Sequence, residues 1–456
     1  MDNNVRGKAR RSFLAAIPAI PLAGLLAGEQ TKGRAADQQD LALHGGRPVR
    51  TTRLPPSSYP GAQFYGEEEQ RELMEALESR SLFRWYGPNT PKKVAKFEEE
   101  FGKFMGARYA LAVTSGTAAL HVAMTALGAG PGDEVIMPAW AWYSCYNAIL
   151  LTGALPVFAE SDESFNIDPS DIEKKITPRT KAIMVVHLSG CPGDMDRIIA
   201  IARKHNLRVL EDAAQSVGGQ YKGKRLGSIG DIGIYSFQIS KTITAGEGGA
   251  VVTNDPLLFE RASRAHDLGM LRPGHQAVLG KANMLGFIGT NYRMNEMTGA
   301  VMCAQVRKLE SILSLFRRNA RSIKEQIQSL PGIKLRHTPD PDGEIGLAIY
   351  LLLRTKELRD KFVAALRAEN VPASPPSGSL VLPTVPYIEK RVALHAEWPS
   401  FNSPHGKAMR YGAECCPRTT EIFNRAAGIH LGPKYTEIDA KDIMTAIRKV
   451  YHALVA

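Results

Sequence analysis

Cysteine is scarce in this chain of 456 residues, and what there is forms no pattern. Cys145, Cys191, Cys303, Cys415 and Cys416 are scattered without a C-x-x-C or a cysteine-and-histidine ligand spacing, which argues against a disulfide framework and a zinc site. The adjacent pair reads as one buried and one partly exposed thiol, because a bridge between chain neighbours is strained. Long apolar runs are missing too. The best one, residues 13–27, is short and broken by Pro18 and Pro21, so no membrane span is expected. No stretch interleaves lysine and arginine with aromatics, and the net charge of +11 therefore does not mark a nucleic-acid binder. Part of that charge sits in the first 35 residues, where Arg6, Lys8, Arg10, Arg11, Lys32 and Arg34 face only Asp2 and Glu29. Three cofactor signatures are absent: no G-x-G-x-x-G follows the first strand, and there is no G-x-x-x-x-G-K-[ST] and no H-E-x-x-H. There are no internal repeats and no low-complexity tracts.

What is present is an ordinary globular composition, 44% hydrophobic and 23% charged, long enough for two or three domains or for one large domain with an appendage. Residues 1–35 read as an address. A basic start containing Arg10-Arg11-Ser12-Phe13-Leu14 leads into the apolar stretch and then into small residues around Gly33 to Ala36, the pattern of a twin-arginine export signal. Ala9 and Ala15 depart from the fuller form of that signal, which has a polar residue and a lysine there. Export in the folded state would put the protein in the periplasm and suit one that acquires a cofactor first; without it the protein would be cytoplasmic.

An N-terminal arm, 36–66, contains LALHGGRPVR and a proline-rich link. Residues 67–79 place Leu73, Met74 and Leu77 at helical spacing. A second helix is announced by Thr90 as N-cap and Pro91 at its first position, and carries Val94, Phe97, Phe101 and Phe104. From Tyr109 the pattern changes to short apolar runs, YALAVT, EVIMP, ALPVFA, KAIMVVHL, LRVLEDAA, DIGIYSF and GAVVT, most of them separated by amphipathic helices such as 194–205. Strands apolar at nearly every position are buried on both faces, which predicts an α/β fold with a mainly parallel, seven-stranded sheet covered by helices. Residues 294–330 read as helical. Strands at 333–336 and 347–353 and helices at 355–370 and 440–453 then form a smaller α+β C-terminal domain. The expected boundaries are 67–315 for the large domain and 316–456 for the small one.

Five constellations carry chemistry. In VTSGTAAL a strand ends and a helix begins at Gly116 and Thr117, so free amides and the positive end of a helix dipole meet where a glycine allows close approach, a geometry that suits phosphate; an ordinary helix cap reads the same way. In VLEDAAQ, Asp212 stands at the carboxyl end of an apolar strand, where open α/β sheets bind ligands. It could meet a protonated ring nitrogen or cap the next helix, and Gln215 could reach the same ligand. In SFQISKTITAGEGGAVVT, Lys241 lies between an apolar strand and a turn with Gly246, Gly248 and Gly249, which reads as a mobile backing for a reactive amine. Ser236, five residues earlier, could share its pocket. In MPAWAWYS either Trp140 or Trp142 could stack on a flat ring, or fill a core. NYRMNE is a polar entry into a long helix. Together these supply a phosphate cradle, an acid for a ring nitrogen, a stacking indole and an imine-forming amine, the parts needed to hold pyridoxal 5'-phosphate.

The order TSGTAAL, PAWAW, HLSGCPGDMD, EDAAQ, SFQISKTITAGEGG and NYRMNE resembles the DegT/StrS-type sugar aminotransferases, a pyridoxal-phosphate family of the aspartate-aminotransferase fold (fold type I), from about Leu41 to the C-terminus. The resemblance implies that Lys241 forms the internal aldimine, that Asp212 pairs with the pyridine nitrogen and that Gln215 meets the 3'-oxygen. It also implies that Gly116, Thr117 and Ser236 hold the phosphate, that Trp142 stacks on the ring, and that Asn291 reaches the phosphate from a partner subunit, which makes the protein a homodimer. The arm LALHGGRPVR and Gln238 resemble the glutamine-dependent aminocyclitol branch. Ala141 and Ser189 stand where the family carries a threonine and an aromatic, so both are expected to line the substrate pocket. The implied activity moves an amino group from glutamate or glutamine to a keto sugar, as a sugar nucleotide, or to a keto cyclitol. The rivals are a pyridoxal-phosphate sugar dehydratase, whose relatives carry histidine in place of Lys241, and a non-catalytic cofactor-binding sensor.

Overall fold

The computed structural model describes residues 40–89, 92–377, 380–395, 397–399 and 401–456. The export signal expected in 1–35, and Thr90 and Pro91, lie outside them. The seven apolar runs become seven strands: β1 (Tyr109–Val113), β2 (Glu134–Pro138), β3 (Leu155–Ala159), β4 (Thr180–Val186), β5 (Arg208–Asp212), β6 (Ile232–Ser236) and β7 (Gly249–Thr253). They form one sheet in the order β1-β7-β6-β5-β4-β2-β3. Only β7 runs against its neighbours; β6 through β5, β4, β2 and β3 pair in parallel.

Alternate residues along each strand feed two separate cores. Leu111, Val113, Val135, Met137, Leu210 and Ile234 enter one layer, and Ala112, Ile136, Val209 and Tyr235 the other. This is the two-residue period of a strand with helices on both faces. The helix α1 (Glu67–Glu78) departs from its sequence pattern: Met74 and Leu77 are exposed, while Glu69, Glu72 and Ala76 are buried. The reason lies in the cations that its acids meet. Lys93, at the start of α2 (Lys93–Met105), reaches Glu72 at 2.6 Å, and Lys308 reaches Glu69 at 2.6 Å.

The helices α3 (Gly116–Leu127), α4 (Tyr143–Leu151), α5 (Pro169–Lys175), α6 (Met195–Lys204), α7 (Pro256–His266) and α8 (Pro273–Leu279) surround the sheet. Asn295 caps α9 (Glu296–Ile327), whose 32 residues run across the expected boundary at 315/316. Beyond it, β8 (Lys334–Leu335), β9 (Ala348–Leu352), β10 (Ala373–Ser374) and β11 (Ala426–His430) make an antiparallel sheet in the order β8-β9-β11-β10. It is accompanied by α10 (Lys356–Ala368), α11 (Pro417–Arg425) and α12 (Glu437–Leu454). Sequence periodicity misses β10 and β11. β10 has two residues, and β11 reads AAGIH, too small and glycine-broken to look like a strand. Cys416 is buried and Cys415 partly exposed, as the sequence suggests. Among the described residues no helix is long and apolar enough to cross a membrane.

The N-terminal arm ties the small sheet's helices to the large sheet. Glu369, fully buried at the end of α10, accepts the amides of Ala42 (2.9 Å) and Val49 (2.8 Å) and pairs with Lys449 at 2.8 Å. Arg50 adds ion pairs to Asp439 and Asp442. Farther along, the amide of Gly61 donates to the carbonyl of Lys241 at 3.2 Å. Replacing Glu369 with alanine leaves two amides without their acceptor and the Lys449 ammonium with the carbonyl of Arg47 but no counter-charge. The expected loss is about 3 kcal/mol, to be measured by equilibrium denaturation, with Glu369→Gln falling between the two.

Candidate active site

The strands β1, β6, β5, β4 and β2 point their carboxyl ends to one edge, and the chain leaving each end contributes to one cavity of about 760 Å³. Ser115, Gly116 and Thr117 arrive from β1, Trp140 and Trp142 from β2, Ser189 from β4, Asp212 and Gln215 from β5, and Ser236 and Lys241 from β6. The small sheet closes the other side with Tyr350, Ser374 and His430.

At the end of β1, Ser115 caps α3 by accepting the amide of Ala118 at 3.1 Å, and α3 begins with Gly116. A Cβ on Gly116 would lie 2.6 Å from Cβ of Ser236 and 3.0 Å from its Oγ. A glycine is required there, and its absence of side chain brings a hydroxyl against a helix N-terminus. Thr117 Oγ1 lies 2.7 Å from Ser144 Oγ, so two more hydroxyls border the same amides.

Lys241 is held by its loop. Phe237 N–H donates to Gly248, Ile239 N–H to Gly246 and Lys241 N–H to Gln238, while Thr244 Oγ1 donates to Phe237. The glycines read from sequence as mobile are therefore fixed turn positions. Gly246 (φ 83°) and Gly248 (φ 152°) take backbone angles that favour glycine, and Gly249 packs against Ser115, where a Cβ would lie 2.4 Å from the carbonyl oxygen.

Asp212 is 4% exposed. Its Oδ1 accepts the amide of Ala214 at 2.9 Å and its Oδ2 accepts the Cys145 thiol at 3.2 Å. Burial pushes its carboxyl up from the ordinary range, against the pull of these two donors and of Lys241. Burial also pulls the Lys241 ammonium down from the usual lysine value, opposed by the Asp212 charge. Behind them, His187 and Glu211 are completely buried and 2.9 Å apart. Gly193 N–H donates to His187 Nδ1, so the proton sits on Nε2 and points at Glu211, which also accepts the amides of Gly227, Ile229 and Gly230. This network fixes the ends of β4 and β5.

The structure separates the two tryptophans. Trp140 is buried and stacks on Phe423 with ring centroids 4.6 Å apart, whereas Trp142 borders the cavity and is 56% exposed. Gln215 accepts the amide of Ser189 on its Oε1 at 3.1 Å, which turns its NH₂ away as a donor. Ser189 lines the cavity; Ala141 is buried beside Leu380 and does not. Asn291 is also off the cavity of its own chain, bridged to Asp267. Sequence reasoning misses Cys145, one of five unpatterned cysteines. The available signal is its position in the first turn of a helix that starts at a strand end, facing the same edge as Asp212.

A scan against family models matches residues 64–448 to the DegT/DnrJ/EryC1/StrS aminotransferase family. The chain belongs to that family. GDP-perosamine synthase of Escherichia coli O157:H7 is 38% identical over 316 residues, 68% of this chain and 84% of that protein. A putative L-glutamine:3-amino-2,3-dideoxy-scyllo-inosose aminotransferase of Micromonospora echinospora is 33% identical over 420 residues, 90% of this chain and 97% of its own. Among solved structures, 3-amino-5-hydroxybenzoic acid synthase superposes with a TM-score of 0.72 at 28% identity, covering 88% of this chain and all of that one. The protein is a pyridoxal-phosphate-dependent aminotransferase. The cavity fits that cofactor. A cradle that a Cβ would fill, at a helix N-terminus lined by hydroxyls, suits the phosphate, and a buried acid and a partly buried amine stand within each other's electrostatic reach.

The amine's environment sets a pH test on the cofactor-free protein. Burial lowers the Lys241 pKa and the Asp212 charge raises it, so Lys241 should react with an amine-directed acylating reagent at a midpoint below the ordinary lysine value of about 10.4. Removing the charge with Asp212→Asn should move that midpoint lower still. Peptide mapping of the modified lysine across pH measures both.

Proposed function

We propose that this aminotransferase takes the amino group of glutamine or glutamate and delivers it to the ketone of a polyhydroxylated ring, a keto cyclitol or keto sugar. The observation that carries the reading is the partly buried amine of Lys241 facing Asp212 in a cavity whose opposite wall carries hydroxyls. There Ser189 Oγ and Tyr350 Oη lie 3.2 Å apart, beside Ser374. The names of the relatives, synthases and aminotransferases of amino sugars and aminocyclitols, support the same class.

Bound at this edge, pyridoxal phosphate supplies a carbonyl for the amine and a ring that draws electrons from the donor's Cα–H bond. In this proposal the amides at 115–117 and the hydroxyl of Ser236 hold the phosphate, and Asp212 keeps a ring nitrogen charged. Gln215 would donate to the 3'-oxygen, and Trp142 would cover a ring face. Lys241 Nζ, made more readily neutral by burial, takes the α-proton of the donor and later returns a proton to the carbon of the acceptor. A dehydratase is not favoured, since a lysine occupies the decisive position.

The protein works as a homodimer in this reading. The segment leading to Asn291 exposes Leu285 at 90% and Ile288 at 97%, with Leu268 and Met270 nearby in sequence, an apolar surface that a second copy would cover. Asn291, turned away from its own cavity, would then complete the partner's.

Two experiments test these readings. Added L-glutamine or L-glutamate should bleach the visible absorbance of the loaded protein, and 2-deoxy-scyllo-inosose or a GDP-linked keto sugar should restore it; Lys241→Ala should abolish both changes. A band that responds to no amino donor would leave only a cofactor-binding protein. For the shared site, mixing inactive Lys241→Ala and Asn291→Ala subunits should regenerate activity at about a quarter of the sites by random pairing, measured after refolding the mixture; no recovery would remove Asn291 from the partner's site.

A further inference from the structure

The turn at residues 188–190, between β4 and α6, is strained and fully tied. Ser189 has φ 49° and ψ 45°, the left-handed region that residues other than glycine rarely adopt. Its amide donates to Gln215 Oε1 at 3.1 Å, and the amide of Gly190 donates to the carbonyl of Gln215 at 3.1 Å. The amide of Leu188 is taken by Asn166 Oδ1, and the carbonyl of Gly190 by the amide of Ile345. Of the remaining carbonyls, that of Leu188 accepts the amide of Cys191 at 3.0 Å, and both it and that of Ser189 face one side chain. Arg336, 5% exposed, donates to Leu188 O at 3.2 Å and to Ser189 O at 3.4 Å. The same guanidinium pairs with Glu344 at 2.5 Å and lies 5.0 Å from the ring centre of Tyr350, on the cavity wall. Lys324 closes the other side of Glu344.

We propose that Arg336 is a positioning residue for Gln215, acting through the strained backbone of Ser189. It is not among the residues lining the Lys241 cavity. Its planar fork spans a carboxylate and two carbonyls at once, which a lysine cannot do. Held in this way, the Ser189 amide occupies Gln215 Oε1 and leaves the Gln215 NH₂ to donate into the cavity. Without the fork, the turn relaxes toward an ordinary backbone angle, the Ser189 amide swings away, and the Gln215 amide is free to turn its oxygen inward. The proposal rests on the reading that Gln215 faces the cofactor.

The test is a mutant cycle on the full chain, read by equilibrium affinity for pyridoxal phosphate and by the pH midpoint of the bound cofactor's absorbance. Thermal unfolding of the cofactor-free protein reports folding. Arg336→Lys and Gln215→Leu should each weaken binding about tenfold, the loss expected for one charge-assisted hydrogen bond, and should move the absorbance midpoint in the same direction. The double variant should be no worse than Gln215→Leu alone. Ser189→Gly removes the strain, since glycine adopts the left-handed region freely, and should restore most of the affinity lost in Arg336→Lys. Additive losses in the double variant, or no rescue by Ser189→Gly, would overturn the proposal. A Gln215→Leu variant with wild-type cofactor affinity would instead defeat the cofactor reading of Gln215.

Discussion

A partly buried amine set against a buried carboxylate is the constraint on which the rest of this structure depends. Burial disfavours the charged form of both Lys241 and Asp212, and each is the other's opposing charge. Neither could be kept there by packing alone. Asp212 is held by a backbone amide and a thiol, and the strand that carries it is fixed from behind by Glu211, which takes three backbone amides and a histidine. Lys241 has no comparable side-chain support and is placed by its main chain, a loop closed on glycines and pinned through its carbonyl to Gly61 of the arm. A polar pair left with unsatisfied capacity in a low-dielectric cavity is what a site for a charged, flat cofactor requires.

How much of this could be read from the sequence follows from what each residue depends on. The seven strands were legible because both faces are buried, which leaves an unbroken apolar signature, and every strand-end residue then fell on one edge by topology. Lys241, Asp212, Gln215, Ser236, Gly116 and Trp142 are all found at that edge for this reason. From the residues alone Trp140 and Trp142 could not be told apart, since two indoles two positions apart past one strand end carry the same composition signal; only the resemblance chose Trp142. Cys145 was invisible because a thiol donating to one carboxylate has no spacing to recognise. Arg336 was invisible for a deeper reason. It acts on a turn 147 residues away along the chain, and a buried arginine reads in sequence as a surface charge. The α1 helix misled in the opposite sense, because its buried face is made of acids that need cations from α2 and α9.

The cavity also divides its work between lobes. The groups assigned to the cofactor leave the ends of strands in the large sheet, where the Glu211–His187 network and the tight packing around Gly116 and Gly249 leave little room for change. The hydroxyl wall assigned to the acceptor is shared with the small sheet, on β9 and β10, and it meets the large sheet at the Ser189 turn. Substitutions at Tyr350 or Ser374 can therefore alter which ring is accepted without touching the groups that move the proton. Ser189 is the exception, because its backbone serves Gln215 while its side chain faces the acceptor. A residue at 189 must tolerate the left-handed backbone as well as fit the substrate, so the choice of acceptor is coupled to the geometry of the cofactor site through one peptide unit.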